Sequence, residues 1–173
     1  MIRPAMPEDT KTIARLIQAL AEYEKLSHEV RLDESRLREH LFGPRPFAEV
    51  LLAEEKGEVV GFALFFHNYS TFVGRPGIYL EDLFAEPAHR GQGHGKALLV
   101  ELARLAVERG CGRIEWAVLN WNEPAIQFYR SLGAVSMDTW QTYRLSGDAL
   151  TALSKKGNYA LPQQDFHGTS KGG

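Results

Sequence analysis

One stretch decides most of what this chain can fold into: Tyr79 to Leu99, YLEDLFAEPAHRGQGHGKALL. The apolar run Ile78-Tyr79-Leu80, then Leu83-Phe84-Ala85, predicts a strand with Glu81 and Asp82 set in its middle. Pro87 ends it, because proline cannot donate to a β-ladder. Arg90-Gly91-Gln92-Gly93-His94-Gly95 then makes a bend, and Leu98, Leu102, Leu105 and Ala106 recur at helical spacing. Three glycines in five residues let the backbone approach an anion closely, and the helix that follows aims its positive end at the same place. Arg90 and Lys96 add positive charge.

Four readings of the bend compete. The plainest is a glycine-rich turn before a helix, with no ligand. A Walker loop fails, since Gly95-Lys96 is followed by Ala97 and no glycine stands at the required upstream spacing. A dinucleotide fingerprint fails because the glycines repeat as G-x-G-x-G, with Lys96 where the third should be. The fourth reading fits every position. Arg90-x-x-Gly93-x-Gly95 after a strand resembles the pyrophosphate-binding loop of the GCN5-related N-acetyltransferases (GNAT), which bind acetyl-CoA. Downstream, Trp121-Asn122-Glu123-Pro124-Ala125-Ile126-Gln127-Phe128-Tyr129 runs into Gly133-Ala134. Taken together, YLEDLF, RGQGHG and WNEPAIQFY resemble the diamine and thialysine acetyltransferase branch, over most of Ile2 to about Leu150.

Composition narrows the alternatives. A chain of 173 residues, 44% hydrophobic and 24% charged, is long enough for one domain with a real core, expected over 1–154. Glycine, glutamine, serine and lysine from Lys155 onward predict a tail over 155–173. A net charge of −2 gives no support for a nucleic-acid partner. Cys111 stands alone, so no internal disulfide or cysteine metal cluster forms, which suits a cytoplasmic location. The six histidines show no ligand spacing, and no metal is expected. Met1 to Thr10 has no apolar core and no segment reaches the roughly 18 apolar residues of a membrane span, so neither a signal peptide nor a membrane partner is expected.

Along the chain, Ile2-Arg3 begins an edge strand. Pro7, Glu8 and Asp9 start a helix whose stripe is Ile13, Leu16, Ile17 and Leu20, with Tyr23-Glu24 at its exit. Asp33 caps a weaker helix to Leu41. Phe47 to Glu54 and Glu58 to His67 read as antiparallel strands across Lys56-Gly57. Asn68 to Pro76 is a connection, and Arg113 to Leu119 another strand. A helix after Asn122 carries Ala125, Phe128, Tyr129 and Leu132 on one face, with Gly133 in the left-handed position beyond it. Trp140 to Leu145 reads as a last strand closing a hairpin, and Asp148 to Leu153 as a short helix. This order predicts an α/β (α+β) fold: a mixed, twisted sheet with helices on both faces. The resemblance implies the same GNAT fold, with the strand ending near Phe84 and the next, ending near Leu119, splayed to admit a pantetheine arm.

The resemblance also implies roles. Backbone groups of Leu83, Phe84 and Ala85, the loop Arg90, Gly91, Gln92, Gly93, His94, Gly95 and Lys96, and Asn122, Glu123, Pro124, Ala125 and Tyr129 bind the cofactor. Tyr129 matches the family's general acid, and Glu81 its substrate-binding or proton-accepting carboxylate. Tyr23, Glu24 and Asp82 join Glu81 in contacting the amine. Read without the resemblance, Tyr129 is core packing, Glu81 a salt-bridge partner and Asn122 a helix cap. Adjacent strand residues alternate in direction, so Glu81 and Asp82 are expected on opposite faces. Polyamine acetylases of the branch carry acidic residues just before the last strand, where this chain has Trp140-Gln141 with Asp138 nearby. The missing anionic contact favours a shorter amine. The implied activity is acetyl transfer from acetyl-CoA to a small primary amine by direct attack on the thioester, in a homodimer. A protein amine, an antibiotic, or a non-catalytic acyl-CoA-binding module stay open.

Overall fold

A computed structural model describes residues 1–157. Its contacts cluster into two compact units, Met1–Glu123 and Pro124–Gly173. In the first, β1 (Ile2–Pro4), α1 (Thr10–Tyr23), α2 (Glu34–Phe42), β2 (Glu49–Glu55), β3 (Glu58–Ser70), β4 (Arg75–Ala85), α3 (His94–Glu108) and β5 (Ile114–Trp116) follow one another. The sheet order is β1-β2-β3-β4-β5. The first three pairings are antiparallel, and β4–β5 is parallel, as a strand–helix–strand crossover requires.

Strand alternation creates two apolar faces. Val50, Leu52, Phe62 and Phe84 join Ile13, Leu16 and Leu20 of α1 and Leu37 and Leu41 of α2 in one buried core. The opposite parity, Leu51, Ala53, Ala63, Phe65, Ile78 and Leu80, is equally buried. Leu98, Leu99, Leu102 and Ala106 of α3, which packs on β2, β3 and β4, complete that side. At the N-terminal edge, Arg3 reaches both oxygens of Asp9, at 2.7 and 2.9 Å, and Glu54 at 2.8 Å. One guanidinium thus joins β1 to the turn before α1 and to the end of β2.

Two expected boundaries move. The connection expected over Asn68 to Pro76 is largely strand: Asn68, Tyr69 and Ser70 pair with Gly77, Pro76 and Arg75, leaving a tight turn at 71–74. Turn-forming residue types did not prevent a ladder that the neighbouring β3 and β4 had already put in register. The strand expected over Arg113 to Leu119 shrinks to Ile114–Trp116. Its cause lies in β4. The β3–β4 register shifts between Leu64, opposite Asp82, and Phe65, opposite Leu80, so Glu81 is the extra residue of a bulge. The β4–β5 ladder ends at Leu80↔Trp116, just before that bulge. Beyond it, Glu81 to Ala85 pair only with β3 among the described residues, which gives the expected splaying.

Helix α4 (Glu123–Ser131) and helix α5 (Gly147–Ser154) follow. Gly133, with φ of 86°, adopts the left-handed conformation expected beyond α4. The expected apolar face of α4 is only half-buried at Ala125, Phe128 and Tyr129, and Leu132 is exposed. The strand expected over Trp140 to Leu145 is absent among the described residues, and with it the closing hairpin. Trp140, Tyr143 and Leu145 are exposed. β-propensity expresses packing against a neighbouring strand, and among the described residues no neighbour realises it. Of the tail expected over 155–173, all but the first three residues lie outside the described residues. Among the described residues, no helix is long and apolar enough to cross a membrane.

Candidate active site

The phosphate loop grows out of the end of β4. A single 3-10 turn, Pro87–His89, delivers the chain to Arg90, and α3 opens at His94. Gly93 occupies the N-cap position with φ of 87°, in the left-handed region where a side chain is strained. No side chain caps α3, so its first-turn N–H groups keep their capacity to bind an anion. A Cβ built on Gly91, Gly93 or Gly95 meets nothing within 4 Å, so the space beside the loop is open. Lys96 is exposed on the first turn of α3. Arg90 takes a different position from a free phosphate ligand. Its guanidinium lies 4.0 Å from the Tyr23 ring centroid and 5.8 Å from that of Phe84, while Nε donates to the Ala85 carbonyl at 3.2 Å. Arg90 therefore fastens the loop to the exit of α1.

Beside this junction, the β4 bulge gathers carboxylates. The expectation that Glu81 and Asp82 face opposite sides rests on strict alternation, which the bulge breaks. Asp82 pairs opposite Leu64, on the parity of Phe62 and Leu52, and so on the α1 side of the sheet. Burial, followed by the charges of Glu81 and Glu24, pushes the Asp82 carboxyl up to about 7. Burial also raises Glu24, at the end of α1. Burial first, then Glu81 and Glu115, raises the Tyr79 hydroxyl. Glu81 itself is exposed. The fold thus brings Glu24, Glu81 and Asp82 within electrostatic reach of one another, although α1 and β4 are far apart in sequence. Tyr23, next to Glu24 in the chain, sets its ring 6.2 Å from that of Trp121 and under the Arg90 guanidinium. Three acids so close together suit a cation of primary-amine type.

The remaining predicted residues fall in three places. Phe84 is core, stacked edge-on against Phe62 at 6.4 Å, while Leu83 and Ala85 are half-buried on the stretch of β4 that pairs with β3 and lies beyond the β5 ladder. Asn122 is 8% exposed, one residue before α4. Glu123 and Pro124 are exposed in the first turn of α4, Ala125 is half-buried, and Tyr129 stands against Phe128 with ring centroids 5.4 Å apart. Trp121, quoted in the motif but given no role of its own, emerges beside Tyr23. Glu55, whose carboxylate lies 3.1 Å from His89 Nδ1 and His94 Nε2, is not among the expected residues. It ends β2, and no local pattern distinguishes it from the other acids of that strand.

Comparison with known proteins agrees with this architecture. The acetyltransferase (GNAT) family model matches residues 13–134. Thialysine N-epsilon-acetyltransferase of Bos taurus is 42% identical, over 90% of this chain and 98% of that protein. An L-ornithine N5-acetyltransferase of Arabidopsis thaliana is 35% identical, over 89% of this chain and 87% of the other. Among solved structures, an integron cassette protein from the V. cholerae mobile metagenome superposes with a TM-score of 0.75, at 27% identity, covering 90% of this chain and 97% of its own. The loop geometry, the mixed sheet and these relatives lead to one conclusion: the chain belongs to the acetyltransferase (GNAT) family and is an N-acetyltransferase.

Proposed function

We propose that this enzyme transfers the acetyl group of acetyl-CoA to the terminal amine of a short, lysine- or ornithine-like substrate. The observation that carries this reading is the gathering of Glu24, Glu81 and Asp82 within electrostatic reach of one another. Relatives named for thialysine and L-ornithine support a short amino-acid amine, and the Trp140-Gln141 departure argues against long polyamines.

Acetyl-CoA supplies the activated acetyl thioester. The uncapped N-terminus of α3 and the loop glycines receive its pyrophosphate, and the edge of β4 from Leu83 to Ala85, beyond the β5 ladder, meets the pantetheine arm. Asn122 to Ala125 complete the cofactor contacts. Glu81 and Glu24 attract the ammonium. Asp82, ionised only above about 7, accepts its proton, directly or through water, so that the neutral nitrogen attacks the thioester carbon. As the carbon–sulfur bond breaks, the Tyr129 hydroxyl donates to the departing sulfur. The ordinary tyrosine pKa of about 10 lies above a thiol's 8.5, so the donated hydrogen bond carries the stabilisation. A cytoplasmic homodimer is part of the proposal.

The test is a panel of amines scored by thiol release from acetyl-CoA: thialysine, lysine, ornithine, diamines, spermidine, an aminoglycoside and a basic peptide. Turnover highest with the amino-acid amines is the expected result. Preference for spermidine, the aminoglycoside or the peptide overturns the substrate assignment. Sedimentation of the same protein tests the dimer.

A further inference from the structure

Three side chains of the loop region converge on one carboxylate from another strand. His89, in the turn before the loop, places Nδ1 3.1 Å from Glu55 Oε2, and His94, the first residue of α3, places Nε2 3.1 Å from the same oxygen. Gln92 lies between them. With its amide turned so that nitrogen faces the carboxylate, it donates to Oε1 at 3.1 Å and Oε2 at 2.9 Å, whereas the opposite orientation sets oxygen against oxygen. A carboxylate only accepts, so both imidazoles present an N–H to it. Glu55 is half-buried and ends β2 at the tight turn through Lys56 and Gly57, both with positive φ. Its backbone is therefore fixed by the sheet and the turn. The partners stand 34 and 39 residues away in sequence and flank Gly93, the left-handed pivot of the loop.

We propose that Glu55 is a positioning residue for the phosphate loop. Its carboxylate holds His89, Gln92 and His94 so that the loop's N–H groups are already arranged for a pyrophosphate. The inference rests on the reading of this loop as the CoA site. A glycine-rich loop is costly to order, and ordering it before binding transfers that cost from the ligand to the fold. The Glu55, His89 and His94 donor atoms also lie within 4.8 Å of one another, close enough for a divalent cation. The hydrogen bonds already account for their spacing, and the experiment separates the two.

The experiment measures kcat and KM with acetyl-CoA and with acetyl-pantetheine, which lacks the pyrophosphate, in chelated buffer and with added zinc. Glu55→Gln is expected to raise the acetyl-CoA KM about tenfold, as loss of charged hydrogen bonds would, with no comparable change for acetyl-pantetheine or the amine. His94→Leu reproduces part of that loss, and His94→Gln, which keeps a donor near the Nε2 position, recovers much of it. Thermal unfolding checks each variant, and His94→Leu carries the test if Glu55→Gln does not fold. Equal losses with both acyl donors, or an unchanged acetyl-CoA KM, overturn the proposal. So does a wild-type enzyme whose acetyl-CoA KM rises in chelated buffer to the Glu55→Gln value, which would make the cluster a metal site. A wild type indifferent to the pyrophosphate overturns the loop assignment itself.

Discussion

Asp82 and Glu81 are neighbours with different environments, and the difference predicts different variants. Asp82 is half-buried with a carboxyl near 7, and Glu81 is exposed. Asp82→Asn should lower kcat/KM about 100-fold or more, as loss of a general base does. The wild-type profile should rise with pH through about 7, as Asp82 ionises, and the variant should lack that limb. Persistence of the limb in Asp82→Asn would assign it elsewhere. Stability moves the other way. The folded protein holds the Asp82 proton up to about 7 and the unfolded chain releases it near 4, so this group's contribution declines as pH rises across that window. Unfolding followed at both ends of the window should show a decline that Asp82→Asn lacks. Glu81→Gln should chiefly raise the amine KM, by about 3- to 10-fold, for an exposed attracting charge. At Tyr129, phenylalanine keeps the ring beside Phe128 and removes only the hydroxyl. A fall in kcat of roughly 10- to 1,000-fold with CoA affinity intact is expected, and a variant running at full rate would make Tyr129 a packing residue.

At the scale of elements, the proposed cofactor site lies at the start of α3, where the glycines separate folding from binding. Gly93 has φ of 87°, so Gly93→Val should destabilise the protein by roughly 1–2 kcal/mol and weaken CoA binding together. Gly95 lies inside α3, has no positive φ, and an added Cβ meets nothing within 4 Å. Gly95→Ala should therefore stabilise the helix by about 0.5–1 kcal/mol while weakening CoA binding, because the methyl occupies space meant for the pyrophosphate. Calorimetry with CoA beside thermal unfolding reads both quantities. Undiminished affinity in Gly95→Ala would place the pyrophosphate elsewhere. The β4 bulge is the other element on which the site depends. It ends the β5 ladder, frees one edge of β4, and turns Asp82 toward α1.

At the scale of the whole molecule, Arg3 couples the chain's start to the sheet and to α1. Its side chain is 23% exposed, and those of Asp9 and Glu54 are 13% and 19% exposed. Arg3→Met leaves both carboxylates without their partner and should cost about 1–3 kcal/mol. The Arg3 hydrogen bond holds the Asp9 carboxyl below its ordinary range. The stabilisation is thus present above about pH 4 and is lost as pH falls through the folded-state value. Urea titrations should show wild type and variant converging in acid, and an undiminished gap there would mean that Arg3 acts through packing.

Much of this was legible in the residues. The stripe Ile13, Leu16 and Leu20, the alternation of β2 and β3, and the left-handed glycine after α4 are local, because side-chain period and backbone sterics are set by neighbours in sequence. So was the loop, whose glycines and following helix lie within a few residues of each other, and from it the family. What stayed hidden depends on partners distant in the chain. A bulge at Glu81 exists only as a mismatch between two strands, so neither the Asp82 direction nor its environment against Glu24 was readable from YLEDLF. Trp140 to Leu145 has strand-like residues and no strand, because pairing is a property of two segments. Glu55 is one acid among several on β2 until the fold sets His89, Gln92 and His94 around it. Side-chain period and the loop motif, both local, carried most of the elements and the family. Which charges meet depended on the fold, because electrostatics acts through space and chain order does not encode that distance.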